Sequence, residues 1–561
     1  MEDSKLTSKV TEIKEPLDSN KIFILNEFLT NLENYENYNF NEDQYGFERS
    51  MHSTSLFIQS KIFESCIIFN DIISDLNVFS ENVAINMWEY LINNYYGYVL
   101  ISELDLMKNH LPGYRKLTSK KFIIDVTNSR EWINYFYEKY PVLIKIVSTF
   151  IEEQLKFLIE IIKNVANDLL KLESTFKSTY KKLKLIELLK GDPHNSGKSV
   201  SFLVFDDDKK LVYKPRKMEH EVNISKTLLA NNLQANFPIS LCKKDYGYTE
   251  FIERSSTKSE ISLENSGLYF YKMGINTKVL NTFQIEDIIS DNVIWNGDNP
   301  SIIDIECFQI PPISIETGFR EIFRYYDLSP VQTGMISNKF GKKEYNMSLL
   351  FENNHYQIDL PRYLKNLISE LNEIEILERL NGKKNQHLPV NYVFDKEYLT
   401  YYLEQFIEGY QSVNSFSLIE RKDVKTRIIL RETQTYFDIL ISSKQPECLV
   451  SIENYKSFLA IILVKENGTE IEKTISNDEF RQMLEGHIPI FYIENENLLN
   501  DKGDILVSNF YKTESRFINF EQKPNYSTFL KEYILNKLDD SQYFTYFFKE
   551  ISDLSLKKIY N

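Results

Sequence analysis

Apolar residues recur at helical spacing between positions 142 and 170. Val142-Leu143-Ile144, Ile146-Val147, Phe150-Ile151, Leu155, Phe157-Leu158, Ile161-Ile162 and Leu169-Leu170 mark a wide stripe. Such a stripe predicts a long amphipathic helix packed against a core. Leu111-Pro112-Gly113-Tyr114 and Tyr140-Pro141 break the pattern ahead of it, as Pro and Gly do between elements. Residues 1–185 are therefore expected to form a mainly helical N-terminal region.

Beyond that point the period shortens. Ser201-Phe202-Leu203-Val204-Phe205 reads as a strand, Asp206 to Lys210 as a polar hairpin turn and Leu211-Val212-Tyr213-Lys214 as the return strand. Glu219 and Glu221 open a helical stretch. Residues 285–306 read as loop, strand, tight turn at Gly297-Asp298-Asn299-Pro300, and strand. Residues 186–320 thus form a strand-rich division, and 321–561 a mixed α/β region. In the latter, helices are expected over 363–380 and 396–410 and short strands over 457–465 and 488–493. The fold class is α+β, without internal repeats.

Composition narrows the possibilities. At 561 residues the chain exceeds one hydrophobic core, and 42% hydrophobic with 14% aromatic residues is enough to bury several. A net charge of −16 argues against a nucleic-acid partner, which requires a basic face, and suits a neutral or basic peptide better than an acidic one. Residues 1–20 are charged and interrupted by Pro16, unlike a secretory signal, and the apolar run at 458–464 is too short to span a bilayer. Cys66, Cys242, Cys307 and Cys448 are scattered without zinc-ligand spacing, so no zinc is expected and a reducing cytoplasm is. The basic stretch Lys177, Lys181, Lys182 and Lys184 reads as a solvated helix face.

The candidate chemistry lies in an ordered set of polar residues. Lys214 ends a strand ribbon, preceded by Gly191-Asp192-Pro193-His194-Asn195-Ser196-Gly197-Lys198-Ser199-Val200 and followed by Asp287, Asn292, Asp304 and Glu306. A triphosphate needs a fixed cation, and Mg²⁺ needs hard oxygen ligands. An Asp and an Asn five apart, with carboxylates at the end of the next strand, have the order of a kinase base and its metal ligands. Glu219 or Glu221 is expected to hold Lys214 as an ion pair.

These motifs, with Leu211-Val212-Tyr213-Lys214-Pro215-Arg216, Ile302-Ile303-Asp304-Ile305-Glu306 and Arg427-Ile428-Ile429-Leu430-Arg431-Glu432-Thr433, resemble the dehydratase part of class II lanthipeptide synthetases of the LanM type. The resemblance implies a two-lobed, lipid-kinase-like core that uses ATP and Mg²⁺ on a leader-bearing precursor peptide. It implies that a Ser or Thr hydroxyl is phosphorylated and the phosphate then eliminated. Carried over residue by residue, Lys214 steadies the nucleotide phosphates, Asp287 takes or orients the hydroxyl proton, and Asn292, Asp304 and Glu306 hold Mg²⁺. Arg427 grips the phosphate of the intermediate, and Thr433, Asp192 and His194 serve the elimination.

Three departures stand beside the matches. The family usually carries His two residues after the loop Asp, where this chain has Ile289. A lost donor to the transferring phosphoryl group costs about 2.7–4 kcal/mol if it acts like an oxyanion-hole group. His487 stands where the family tends to have Asp. The chain ends at Asn561 without the family's zinc-dependent cyclase, so ring closure is expected to need a separate cyclase. Two other readings remain open at this point: a peptide kinase that stops at the phosphopeptide, and a pseudoenzyme that binds precursor peptide or nucleotide.

Overall fold

The computed structural model describes residues 24–30, 32, 50–111, 115–118, 121–233, 235–254, 263–288, 292–297, 299–308, 333, 338–340, 343–345, 396–413, 425–431, 433–465 and 467–510. The described residues before 177 are helical or connect helices: α1 (Ile24–Thr30), α2 (His52–Cys66), α3 (Leu76–Leu91), α4 (Gly97–His110), α5 (Arg130–Lys139) and α6 (Pro141–Phe176). Local chemistry sets the boundaries. Asp75 caps α3 by accepting from the Asn77 and Val78 amides, and Ser129 caps α5 through the Trp132 amide. Pro141 opens α6 with its φ already helical, and Lys177 ends it in the left-handed region at φ 50°.

Helix α6 is the spine of the molecule. Its 36 residues span about 54 Å at 1.5 Å per residue. The apolar stripe lies on this one helix: Val147, Leu158, Ile161, Ile162 and Leu172 are fully buried or nearly so, each stabilising by about 1.5–3 kcal/mol on burial. Gln154 and Asp168 are buried on it as well, and both are bonded to the strand-rich part. The basic stretch sits differently from expectation. Lys177 terminates α6, Lys182 donates to the Asn70 carbonyl and Lys184 lies on the first strand, because the helix stops before most of the lysines are reached.

That strand opens an antiparallel sheet ordered β1-β2-β3-β5-β4, comprising β1 (Leu183–Glu187), β2 (Ser201–Phe205), β3 (Lys210–Lys214), β4 (Ser240–Cys242) and β5 (Gly247–Glu250). The β2–β3 hairpin turns through Asp208 at φ 57°, as its run of polar residues predicts. Side chains alternate across a strand, and Tyr213 faces α6, where Asn164 donates to its hydroxyl at 2.9 Å. Lys214 therefore points away from α6, towards the candidate site. Its register partner is Gly247, where a Cβ would meet Met218 Sδ at 2.5 Å and the Leu241 carbonyl at 2.7 Å. Tyr246 and Tyr248 on the same ribbon donate to Asp168 at 2.8 and 3.1 Å, tying the sheet to the spine.

After α7 (Glu219–Ala230) comes α8 (Leu263–Thr282), then the hairpin of β6 (Val293–Asn296) and β7 (Asn299–Ile302), the short pair β8 (Asn338–Phe340) and β9 (Lys343–Tyr345), and α9 (Lys396–Ser412). Gly274 and Gly409 let α8 and α9 approach backbone to backbone. Asn276 on α8 donates to the Pro300 carbonyl at 2.7 Å and so seats the β6–β7 hairpin.

A second antiparallel sheet, β10-β11-β12-β13, joins β10 (Thr426–Ile428) to β11 (Phe491–Glu494), β12 (Asn497–Leu499) and β13 (Ile505–Val507). Between them lie α10 (Thr433–Ser442), α11 (Ile452–Leu463) and α12 (Glu470–Leu484), the last opened by a capping box of Thr469 and Glu472.

The architecture is thus α+β. The expected helix near 396–410 is α9, and the strand near 488–493 begins at Phe491, after a turn. The helix expected over 363–380 lies outside the described residues. The strand expected over 457–465 is instead the end of α11. Its isoleucines favour strand, but Tyr455, Leu459 and Leu463 are buried four apart while Ile461 is 75% exposed, a helical rhythm that Ser451 caps. No described helix is long and apolar enough to cross a membrane. The four cysteines are free.

Candidate functional site

The strand end at Lys214 meets the segment after β7. Lys214 Nζ donates to the Ile303 carbonyl at 2.7 Å and to Asp304 Oδ1 at 3.0 Å. Arg216 donates through one terminal nitrogen to Asp304 Oδ1 at 2.7 Å and to Glu221 Oε1 at 2.6 Å, and its Nε lies 3.5 Å from Glu306 Oε2. Burial pushes the Asp304 carboxyl up, but Lys214 and Arg216 outweigh it and hold the group well below the usual carboxylate range. Neither helix-opening glutamate pairs with Lys214 as expected. Glu219 takes Lys217 at 2.8 Å and Glu221 takes Arg216, because the lysine is already engaged by Asp304 and a backbone carbonyl.

The Asp287 loop is built from backbone bonds. The Glu286 amide donates to the Cys307 carbonyl at 3.0 Å and the Ile288 amide to the Thr333 carbonyl at 2.9 Å, on either side of Asp287 at φ 65°. Asn292 Nδ2 donates to the Asp287 carbonyl at 2.8 Å. The Ile303 amide returns to the Asn292 carbonyl at 2.9 Å, so loop and hairpin are one unit. Burial raises the Asp287 carboxyl to about 7; Arg427 opposes this, while Glu306, Asp304 and Glu286 add to it. A carboxyl so placed exchanges a proton near neutrality.

Arg427 reaches the same place from the second sheet. It ion-pairs with Glu306 Oε1 from β10, whose Thr426 hydroxyl donates to the Phe308 carbonyl at 2.8 Å and accepts from the Phe308 amide at 3.0 Å. These bonds lock the two strand ends together across the chain. Arg427 is an inward-facing strand residue, whereas Arg431 pairs with the fully buried Glu479 at 3.0 Å.

The glycine-containing loop turns through Asn195, Ser196 and Gly197 at φ 37°, 62° and 71°. Gln154 of α6 donates to the Gly197 carbonyl at 2.6 Å. His194 Nδ1 lies 2.8 Å from the Ile488 carbonyl, and the Ile488 amide donates to Pro193 at 3.3 Å. Burial holds His194 down to about 4, with Arg427 and His487 acting in the same direction and Asp192 and the Ile488 carbonyl against it. His487 Nε2 pairs with Glu153 of α6 at 3.0 Å.

The structure therefore brings Lys214, Asp287, Asn292, Asp304, Glu306 and Arg427 together, with His194 and Asp192 within electrostatic reach of one another and His194 within that of Arg427. Thr433 opens α10, and the described contacts do not tie it to the cluster. Ile289 lies outside the described residues. Two contributors were not singled out in the sequence. Arg216 had a signal, standing two positions after Lys214 in the same motif. Glu153 had none, lying 334 positions from its partner His487.

Comparison with known proteins places this architecture. The family model described as "Domain of unknown function (DUF4135)" matches residues 140–494, from the start of α6 to the end of β11, and the chain belongs to that family. Within curated proteins it is similar to the lacticin 481/lactococcin biosynthesis protein LcnDR2 of Lactococcus lactis subsp. lactis. The two are 24% identical over 443 residues, covering 72% of this chain and 45% of that protein. The chain thus spans less than half the length of the relative. The resemblance to LanM-type lanthipeptide synthetases carried by the motifs is borne out.

Proposed function

We propose that this chain phosphorylates Ser or Thr side chains of a leader-bearing precursor peptide with ATP and then eliminates the phosphate to leave dehydroamino acids, acting in the cytoplasm. One relationship carries the reading: Glu306 is shared by Arg216, beside the strand lysine, and Arg427, from the second sheet. A cation on the nucleotide side and a cation suited to a leaving phosphate converge on one carboxylate. In this reading the β1–β5 sheet and the Asp287 unit are the facing parts of a lipid-kinase-like, two-lobed core.

Lys214 neutralises phosphate charge. Asp287 accepts the hydroxyl proton as the Ser or Thr oxygen bonds to the γ-phosphorus and the bond to the leaving diphosphate breaks. Asn292, Asp304 and Glu306 offer Mg²⁺ the hard oxygens it requires, the Asn292 amide having spent its nitrogen on Asp287. Bound there, the ion screens the phosphates during transfer. In the second step His194, with Asp192 beside it, takes the α-proton while the Cβ–O bond breaks, and the Arg427 guanidinium receives the departing phosphate; Thr433 assists this step.

The test is mass spectrometry of a candidate precursor peptide after incubation with the protein, ATP and Mg²⁺, alongside a LanM-type enzyme acting on its own peptide. Loss of water is the expected result. Gain of phosphate without loss of water marks a kinase, and an unchanged but bound peptide marks a pseudoenzyme.

A further inference from the structure

We propose that Arg216 holds the place of the divalent cation in the nucleotide-free protein, and that cation entry transfers it from Asp304 and Glu306 onto Glu221. The inference rests on the metal-ligand reading above and adds a positioning residue to it.

Arg216 touches both carboxylates assigned to the ion, at 2.7 Å from Asp304 and 3.5 Å from Glu306. A guanidinium between two carboxylates supplies the positive charge and the donors that keep them together without a metal. Arg216 bridges the two carboxylates assigned to the ion, so a divalent cation entering between them meets a charge of its own sign. A ligand oxygen sits about 2.1 Å from Mg²⁺, and the ion's charge at that distance repels a guanidinium held on the same oxygen.

The structure supplies the place to which Arg216 goes. Glu221 Oε1 accepts from Arg216 at 2.6 Å, but Glu221 Oε2 is buried with no hydrogen-bond partner among the described residues. A buried carboxylate oxygen left unpaired is costly, and a two-pronged Arg–carboxylate pair satisfies both oxygens. Released from Asp304, the guanidinium closes on both oxygens of Glu221. Because Glu221 lies in the first turn of α7, loading of the cation becomes coupled to the seating of that helix against β4.

The probe is Mn²⁺ binding to the full chain without nucleotide, followed by electron paramagnetic resonance of the free ion. Arg216→Gln is expected to bind Mn²⁺ about tenfold or more tightly than the parent, the scale of one-to-three-unit shifts that a neighbouring charge imposes on a bound proton. Arg216→Lys, whose ammonium cannot bridge both carboxylates, should fall between them. Glu221→Gln removes the charge and one of the two acceptor oxygens and should weaken Mn²⁺ binding, so that the two variants shift it in opposite directions, which general loosening of the fold does not produce. Equal or weaker binding by both Arg216 variants, with thermal melts like the parent's, overturns the proposal. Asp304→Asn separates the two layers. If it leaves Mn²⁺ binding in the presence of ATP unchanged, the metal-site reading fails and the proposal with it. If it abolishes that binding while the Arg216 variants match the parent, only the proposal fails.

Discussion

His194 Nδ1 lies 2.8 Å from the carbonyl oxygen of Ile488, 294 positions further along the chain. A carbonyl accepts only, so Nδ1 carries the proton and Nε2 presents a lone pair, the tautomer a base requires. Burial and the nearby Arg427 hold the imidazole down to about 4, below its ordinary 6.5. The unfolded chain therefore binds a proton that the folded chain refuses between those values. Stability is complete above pH 6.5 and is lost as pH falls to about 4, by on the order of 3 kcal/mol. Denaturant unfolding at pH 7 and pH 4.5 should show a smaller loss for His194→Gln than for the parent; equal losses would place the ionisation elsewhere.

Asp287 carries the opposite sign. Its carboxyl is raised to about 7 from 3.8, so its favourable contribution is complete below pH 3.8 and disappears as pH rises through 7. Asp287→Asn removes the buried charge, and Asn tolerates the left-handed backbone at φ 65°. The variant should melt higher than the parent at pH 8 and alike at pH 4, while phosphorylation of the peptide falls about 10²–10⁴-fold. A lower melting temperature at pH 8 would show that the carboxylate stabilises the fold.

The ordered motifs made much of the site legible. Lys214 on its ribbon, the turn at Gly297 and the Asp287-to-Glu306 unit stand where alternation and turn chemistry put them, since those signals are local. The pairing was not legible. Glu221 was an equal candidate with Glu219 for Lys214 and holds Arg216 instead, because which cation a helix residue meets depends on how that helix packs. His487 and Glu153 meet only through the docking of a turn on α6, for which no periodicity exists. The misplaced strand at 457–465 failed for a related reason: β-branched residues carry strand preference, but a capped, one-sided burial pattern overrides it.

A substitution at Arg427 tests whether the two proposed half-reactions can be separated. Arg427→Ala removes the guanidinium that would receive the leaving phosphate, and elimination should fall about 10²–10³-fold. Phosphorylated peptide should then accumulate, a gain of phosphate in the mass spectrum that the parent does not show at the same time point. Loss of both steps to the same degree would mean that Arg427 serves mainly to hold Glu306.

Ile289 follows Asp287 by two positions in the sequence, where a donor would face the transferring phosphoryl group in related proteins. Ile289→His should raise the phosphorylation rate by about a hundredfold if the native site lacks only that donor. Single-turnover kinetics with ATP and peptide measure this directly. A loss of rate would mean that the apolar side chain belongs to a different arrangement of the loop.

Asp168 tests whether the spine positions the sheet. It sits buried on α6, accepts from the Tyr246 and Tyr248 hydroxyls at 2.8 and 3.1 Å and forms an ion pair with Lys243. Breaking a buried pair by removing one partner costs about 3–5 kcal/mol, because the remaining groups stay desolvated. Lys243 is 27% exposed and can turn to water, which puts Asp168→Ala at the low end of that range. The denaturation midpoint should drop accordingly. Tyr246 and Tyr248 lie on the ribbon that pairs with Lys214 at Gly247, so loosening it displaces Lys214, the lysine proposed to hold the phosphates, as well. Nucleotide affinity should weaken in Asp168→Ala under conditions where circular dichroism shows the chain fully folded. Unchanged affinity would mean that Asp304 and the Ile303 carbonyl alone suffice to hold Lys214 in place.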